Sequence, residues 1–362
     1  MKIALITMHA ARNYGAVLQT YALQHILQLL GDEIVIINYK RDNQQLWSYM
    51  FHVNKKFRKN PFLRFAFVIK TIIPKIRTSV LFSKFISRYI SLSPIVRSGS
   101  EIAQKVKSDL YLVGSDQVWN PQANDGFDGM YFFEGCKGVK VSYASSIGIY
   151  ELNDEEQEYI KNKLQNFRRV SVRENSSIFI LKRLGIEAEC MLDPTLLMDQ
   201  DDWKQLAAPI NIGNNYLLIY YFGNASNIMH IANKIAKERN LQVCRISVGF
   251  EKYKEDDIVV RFVSPEQFIS LFLYASFVIT NSFHGTAFSI NFNKEFLCYP
   301  TTEHNARFDS ILQMFNLEKR NLRELDENTL GDLKPIDFIL LQEKLQEQRK
   351  KSIDYIESIL HT

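Results

Sequence analysis

Phe277-Val278-Ile279-Thr280-Asn281-Ser282-Phe283-His284-Gly285-Thr286 passes from an apolar triplet into a short polar turn. Residues 287–291 behind it are mostly small and helix-compatible. That order predicts a buried strand, a tight turn and a helix start. Units of this kind build open α/β sheets, which gather ligands at the carboxyl ends of their strands. A helix start presents unpaired N–H groups, here expected at Gly285 and Thr286, to an anion. A histidine held beside them can move protons near neutral pH. The stretch therefore predicts proton transfer on an anionic substrate, with His284 as the agent.

The same alternation recurs outward from this stretch. Ile3-Ala4-Leu5-Ile6-Thr7 reads as a buried strand, 14–30 has helical apolar spacing closed by Gly31, and 33–38 reads as a second strand. A βαβ opening favours a parallel sheet. Strands are further expected at 109–113, 139–144, 169–173 and 188–191, with an acidic amphipathic helix over 154–167. A second series has strands at 216–221 and 241–247 around a helix at 228–238. Ser264-Pro265-Glu266-Gln267 then gives a capping box with proline at the first helical position.

A chain of 362 residues exceeds one compact core. The expected fold class is α/β, with two Rossmann-like domains facing a cleft in a layout resembling GT-B. The first domain is expected over 1–205 and the second over 206–335, with a hinge in the polar stretch 199–215. A helical segment, 336–362, should cross back to the first domain.

Hydrophobic residues make up 46% and charged residues 23%, an ordinary balance for a globular protein. Cys136, Cys190, Cys244 and Cys298 stand apart from any Cys/His spacing of a metal site, so no metal is expected and a reducing compartment suits them. No apolar run reaches the ~18 residues of a membrane span, and Met1-Lys2 leads straight into the first strand. The expected location is cytoplasmic.

The net charge of +4 hides an asymmetry. Residues 43–100 contain no acid but eleven bases: Lys55, Lys56, Arg58, Lys59, Arg64, Lys70, Lys75, Arg77, Lys84, Arg88 and Arg97. The remainder carries 33 basic against 40 acidic residues. Phe57, Phe62, Phe65, Phe67, Ile72, Ile73, Phe82 and Phe85 are interleaved with the bases. One reading is a basic insertion that packs on its own domain as a solvated helical excursion. The other is peripheral contact of 55–97 with an anionic membrane surface or with phosphates. No nucleic-acid motif accompanies the charge, so no nucleic-acid partner is expected.

Three turns in the first series carry candidate chemistry. Asn13-Tyr14-Gly15 follows the first strand, where Gly15 permits close approach of a ligand or backbone; Asn13 as a plain helix cap is the simpler reading. Ser115-Asp116-Gln117-Val118-Trp119 follows another strand. There Asp116 can orient a sugar hydroxyl or accept its proton, or serve only as a turn residue, and Trp119 can offer a face to a sugar ring. Arg173 in Ser171-Val172-Arg173-Glu174 suits bidentate contact with phosphate or carboxylate, the simpler alternative being an ion pair with Glu174 or a neighbour. For His284 the alternative is a satisfied structural histidine.

Taken together and in this order, NYGAVLQTYALQ, VGSDQVWNP, SYASSIG, SVRENSS, LDPTLL (193–197 carries its DPTLL) and ITNSFHGTAFSINFNKEF resemble the polysaccharide pyruvyl transferase family over most of the chain. The resemblance implies transfer of pyruvate from phosphoenolpyruvate, as donor substrate rather than cofactor, to two hydroxyls of a sugar, giving a cyclic ketal and phosphate. It matches His284 to the family's catalytic histidine and Arg173 to an arginine that holds the donor. Better-characterised members have arginine where this chain has Ser282 and leucine where it has Phe283. Arg307 is a candidate to supply that charge from a neighbouring loop. The family also implies a lipid-linked sugar acceptor at the inner face of the cytoplasmic membrane. Two alternatives stand beside this reading: a GT-B glycosyltransferase using a nucleotide-sugar donor, and a non-catalytic carbohydrate-binding protein of a polysaccharide locus.

Overall fold

The first five strands are β1 (Lys2–Ile6), β2 (Glu33–Tyr39), β3 (Leu92–Val96), β4 (Leu110–Val113) and β5 (Val139–Ser142). They form a parallel sheet in the order β3-β2-β1-β4-β5. This arrangement comes from a computed structural model that describes residues 1–41, 44–51, 60–213, 215–223, 226–247, 257–300, 306–323 and 333–360. A short parallel pair, β6 (Ser171–Val172) and β7 (Glu189–Cys190), joins the β5 edge through bridges from Val141 to Arg169 and from Ser145 to Val172. The second sheet repeats the plan with β8 (Tyr216–Tyr220), β9 (Gln242–Ile246), β10 (Ile258–Val260), β11 (Phe277–Thr280) and β12 (Glu295–Cys298), in the order β10-β9-β8-β11-β12. β4, β8 and β11 are buried along their whole length, which explains their unbroken apolar runs.

Strand order reverses between β1 and β4 in one sheet and between β8 and β11 in the other. A crevice opens beyond the carboxyl ends at such a reversal. The turns carrying Gly15 and Asp116 lie at the first reversal, and the turn before His284 lies at the second.

The basic segment is less of an insertion than its composition suggests. Its helix Pro61–Tyr89 is the crossover from β2 to β3, and β3 is itself a sheet strand. Pro94 hides that strand in the sequence; it is tolerated because β3 is the sheet edge and needs no donor on its outer side. Lys55, Lys56, Phe57, Arg58 and Lys59 lie outside the described residues.

The last helix, Phe338–Leu360, straps the two halves together. Arg349 donates to the Leu196 and Met198 carbonyls and to Asn291 Oδ1. Farther along, Ser352 Oγ accepts from the Leu192 amide and the Tyr355 hydroxyl donates to the Ser142 carbonyl. The crossing back to the first domain is thus built from buried hydrogen bonds. A single apolar cluster, with Leu18 and Leu112 from one side and Tyr220, Phe268 and Phe288 from the other, is continuous between the sheets.

Candidate active site

The helix after β11 begins earlier than the sequence suggests, at Phe283 (Phe283–Asn291), with Ser282 as its cap. Every residue of the turn has a local reason. Thr280 Oγ1 donates to the Tyr220 carbonyl at 2.6 Å and accepts from the Ser282 amide at 3.0 Å. Asn281 clamps the neighbouring loop, accepting from the Phe222 amide at 2.7 Å and donating to its carbonyl at 2.8 Å. Ser282 Oγ accepts from the Gly285 amide, as a cap should. Gly285 must lack a side chain, since a Cβ there would lie 2.4 Å from Thr280 Oγ1.

One expectation changes here. The Gly285 amide is used by Ser282 Oγ and the Thr286 amide by the Ser282 carbonyl. The open amides of this first turn are those of Phe283 and His284. Thr286 contributes instead a fully buried hydroxyl without a hydrogen-bond partner.

His284 is buried, and its imidazole lies against Gly15. A Cβ on Gly15 would fall 2.0 Å from His284 Nδ1, so what approaches that glycine here is a side chain rather than a ligand or a backbone. On the other nitrogen, Nε2 stands 3.6 Å from Asp193 Oδ2, an ion-pair distance too long for a hydrogen bond, and has no hydrogen-bond partner.

Asp193 is the junction of the site, and it was not among the sequence candidates. Oδ1 accepts from the Thr195 amide and hydroxyl, while Oδ2 accepts from Ser115 Oγ at 3.1 Å and from Arg173 Nη1 at 2.7 Å. Burial alone would raise its pKa; His284 and Arg173 override that and hold the carboxyl well below the usual carboxylate range. The signal available in the sequence was an acid inside Leu192-Asp193-Pro194-Thr195, one of the segments carrying the resemblance. Its Asp-Pro-Thr chemistry reads as a turn, and it does cap the short helix Pro194–Leu196.

Arg173 is buried, with Nη2 3.8 Å from Asp116 Oδ1 and its guanidinium 4.3 Å above the Phe283 ring. Burial works against its charge, but Asp193, Asp116 and Glu174 more than compensate and keep it protonated. The ion pair is therefore with Asp193. Glu174 turns away: its Oε1 accepts from the Ile147 and Gly148 amides and from the Ser177 hydroxyl. Two Arg173 donors, Nε and Nη2, remain without hydrogen-bond partners.

Arg307, in the first turn of the helix Ala306–Met314, brings a second guanidinium. Its pKa is lowered to about 10, first by burial and then by the like charge of Arg173, against the opposing pull of Asp116, Glu174 and Asp193. Its Nε is buried without a hydrogen-bond partner. Glu303, His304 and Asn305, just before it, lie outside the described residues.

Asp116 sits beside Arg173 with φ of +79°, left-handed backbone that a non-glycine residue adopts at a cost of ~1–3 kcal/mol. The loops after β4, β5 and β6 hold it there: the Ser146 amide donates to the Asp116 carbonyl and the Arg173 amide to the Ser145 carbonyl. Trp119 does not join this group. It is fully buried, stacked 5.7 Å from Phe132, and its Nε1 donates to the Tyr131 carbonyl, so no ring face is open to a sugar. Tyr14 is likewise engaged, stacked 4.4 Å from Phe268 with its hydroxyl donating to the Val263 carbonyl. Asn13 caps the helix Tyr14–Leu29 through the Ala16 amide.

A family model described as polysaccharide pyruvyl transferase matches residues 13–303, a span holding every residue of the group except Arg307. The chain belongs to the polysaccharide pyruvyl transferase family. No curated protein matches it. Among solved structures it is similar to MnaA of S. aureus in a structure with UDP, at 12% identity and TM-score 0.55, covering 99% of this chain and 96% of that one. It is also similar to a UDP-GlcNAc 2-epimerase from Neisseria meningitidis bound to UDP-GlcNAc, at 12% identity and TM-score 0.54, over 100% of both chains. At that identity the likeness shows the fold alone. For this member of the pyruvyl transferase family it is a GT-B-like pair of Rossmann-like domains.

Proposed function

We propose that the protein transfers pyruvate from phosphoenolpyruvate to two hydroxyls of a sugar, forming a cyclic ketal and releasing phosphate. The observation that carries this reading is a pair of guanidiniums, Arg173 buried and Arg307 half-buried, near enough for the charge of Arg173 to lower the pKa of Arg307. Each has a buried donor lacking a hydrogen-bond partner, while Arg173 and His284 both face Asp193. Arg173 is offset by Asp193, Asp116 and Glu174, whereas burial and Arg173 still outweigh the pull of those acids at Arg307, which leaves its charge to be answered by an anion. Phosphoenolpyruvate brings a phosphate and a carboxylate. Its acceptors suit Arg173 Nε and Nη2, Arg307 Nε and the open amides of Phe283 and His284.

The reaction needs a proton on the methylene carbon. Protonated His284 delivers it, leaving an oxocarbenium-like centre at the neighbouring carbon. A sugar hydroxyl attacks that centre and gives up its proton to His284 or Asp116. A second hydroxyl of the same sugar then displaces phosphate, losing its own proton as the ketal closes. Asp193 faces Nε2 and stabilises the imidazolium, and through Arg173 it ties the proton donor to the anion site. General acid–base assistance of this kind is worth ~10²- to 10⁴-fold.

The acceptor is proposed to be a sugar of a cell-surface polysaccharide, carried on a lipid. Incubating the protein with phosphoenolpyruvate and candidate lipid-linked or aryl glycosides tests the reading. Support is an acceptor mass gain of pyruvate less water together with phosphate release. Donor-independent turnover of a nucleotide sugar would move the protein to the glycosyltransferases. Sugar binding without any turnover would make it a binding protein.

A further inference from the structure

The exposed face of the helix Pro61–Tyr89 takes no part in the site just described. Phe62, Phe65, Ile69, Ile73, Ile76 and Val80 follow one another at intervals of three or four residues and are all exposed, from 77% at Phe62 to 59% at Ile73 and 45% at Val80. At 1.5 Å per residue they form one apolar stripe ~27 Å long. A water-facing helix side normally carries polar residues, and a continuous apolar strip on it marks an interaction surface. Beside the stripe, Lys70, Arg77, Lys84 and Arg88 recur at intervals of seven, seven and four, so they line one flank. The opposite side buries Phe82 and Phe85 in the core.

We propose that this helix docks flat on an anionic phospholipid bilayer, with the stripe among the acyl chains and the basic row at the headgroups. Charge complementarity selects the occupant. With no acid anywhere in 43–100, two copies meeting through this face would set basic row against basic row. An anionic lipid surface satisfies both the stripe and the row. Among the described residues no helix is long and apolar enough to cross a membrane, which leaves the interfacial placement for this one.

The docked helix would also orient the cleft. Phe82 packs 5.1 Å from Tyr14, Ser79 Oγ accepts from Arg12 Nε, and the Arg77 guanidinium lies 5.1 Å over the Phe262 ring of the second domain. The Asn13-Tyr14-Gly15 turn thus rests on the inner side of the helix. It sits about one helix thickness, ~10–12 Å, from the lipid surface. That is where the sugar of a membrane-anchored acceptor would be presented.

The test is co-sedimentation of the full-length protein with vesicles of phosphatidylcholine alone or mixed with an equal amount of phosphatidylglycerol. Wild type should bind the mixed vesicles at least about tenfold more tightly, and added salt should weaken that binding. Ile69→Gln/Ile73→Gln alters only exposed positions and should keep the melting temperature while losing about tenfold or more in vesicle affinity. Equal binding by wild type and double variant, or no binding to either vesicle, overturns the proposal. So does a wild-type dimer that ignores vesicles and dissociates on the same double substitution, which would assign the stripe to a second copy. The measurement uses no turnover, so its failure leaves the reaction reading untouched.

Discussion

Gly15, just after the first strand of one sheet, and His284, just after the fourth strand of the other, are in van der Waals contact across the cleft. Only the missing Cβ allows it. The imidazole is consequently positioned by both domains, backed by glycine on one side and facing Asp193 on the other.

Gly15→Ala should therefore disturb the reaction as well as the local packing. Alanine suits the helix that begins at Tyr14, so local propensity improves by ~1 kcal/mol, while the added methyl pushes the ring out of line. A fall of about 10²-fold in kcat/KM is expected, together with a loss of about 1–3 kcal/mol in stability from the overpacked ring. Wild-type kinetics in this variant would show that the position of His284 does not matter.

Asp193→Asn keeps the shape of the side chain but removes its charge. Losing one partner of a buried ion pair costs about 3–5 kcal/mol, and Arg173 Nη1 would lose its partner. The carboxyl has a folded pKa depressed below its unfolded value near 3.8. Between the two values the unfolded chain binds the extra proton, so stability from this group is complete above about pH 4 and is lost as the pH falls further. Denaturant titrations at a series of acidic pH values should show a flatter acid limb for the variant. An identical slope would contradict the ion-pair account.

For Arg307→Ala the expected signs are opposed. Removing a charge that is destabilised by burial and by Arg173 should leave the melting temperature unchanged or raise it. The KM for phosphoenolpyruvate should rise about tenfold or more, by the loss of a charge-assisted contact. Inorganic phosphate should raise the melting temperature of wild type and not of the variant. A variant that phosphate stabilises as well as wild type would remove Arg307 from the anion site.

Trp119→Phe separates a core role from a sugar platform. It removes the hydrogen bond to the Tyr131 carbonyl and part of the stacking on Phe132. A loss of about 1–3 kcal/mol in stability is expected, with specific activity and acceptor KM unchanged in the folded fraction. Unchanged stability with a raised acceptor KM would restore the platform role.

Much of the architecture is legible in the chain because buried parallel strands write themselves as short apolar runs ending in polar turns. Arg173, Asp116 and His284 stand out for that reason, each just past a strand end, while Gly15 lies at the start of the helix that follows the longer turn after β1. The less visible parts share a physical cause. β12 is only four residues, Glu295 to Cys298, and has no alternation. β3 contains a proline that edge position alone excuses. Asp193 lies past a two-residue strand outside the main sheet, so nothing local marks it as the junction of Arg173, Ser115 and His284. The burial of Trp119 depends on Phe132 and Phe167 from later in the chain, which no local pattern foretells.

Tyr14 has a consequence beyond packing. Its ring and hydroxyl belong to the same turn as Gly15 but are spent on Phe268 and Val263 of the opposite domain. Any swing that parts the sheets must break that stack and lift Gly15 from the imidazole in one movement. Parting of the sheets and loss of the glycine seat behind His284 are thereby one event rather than two.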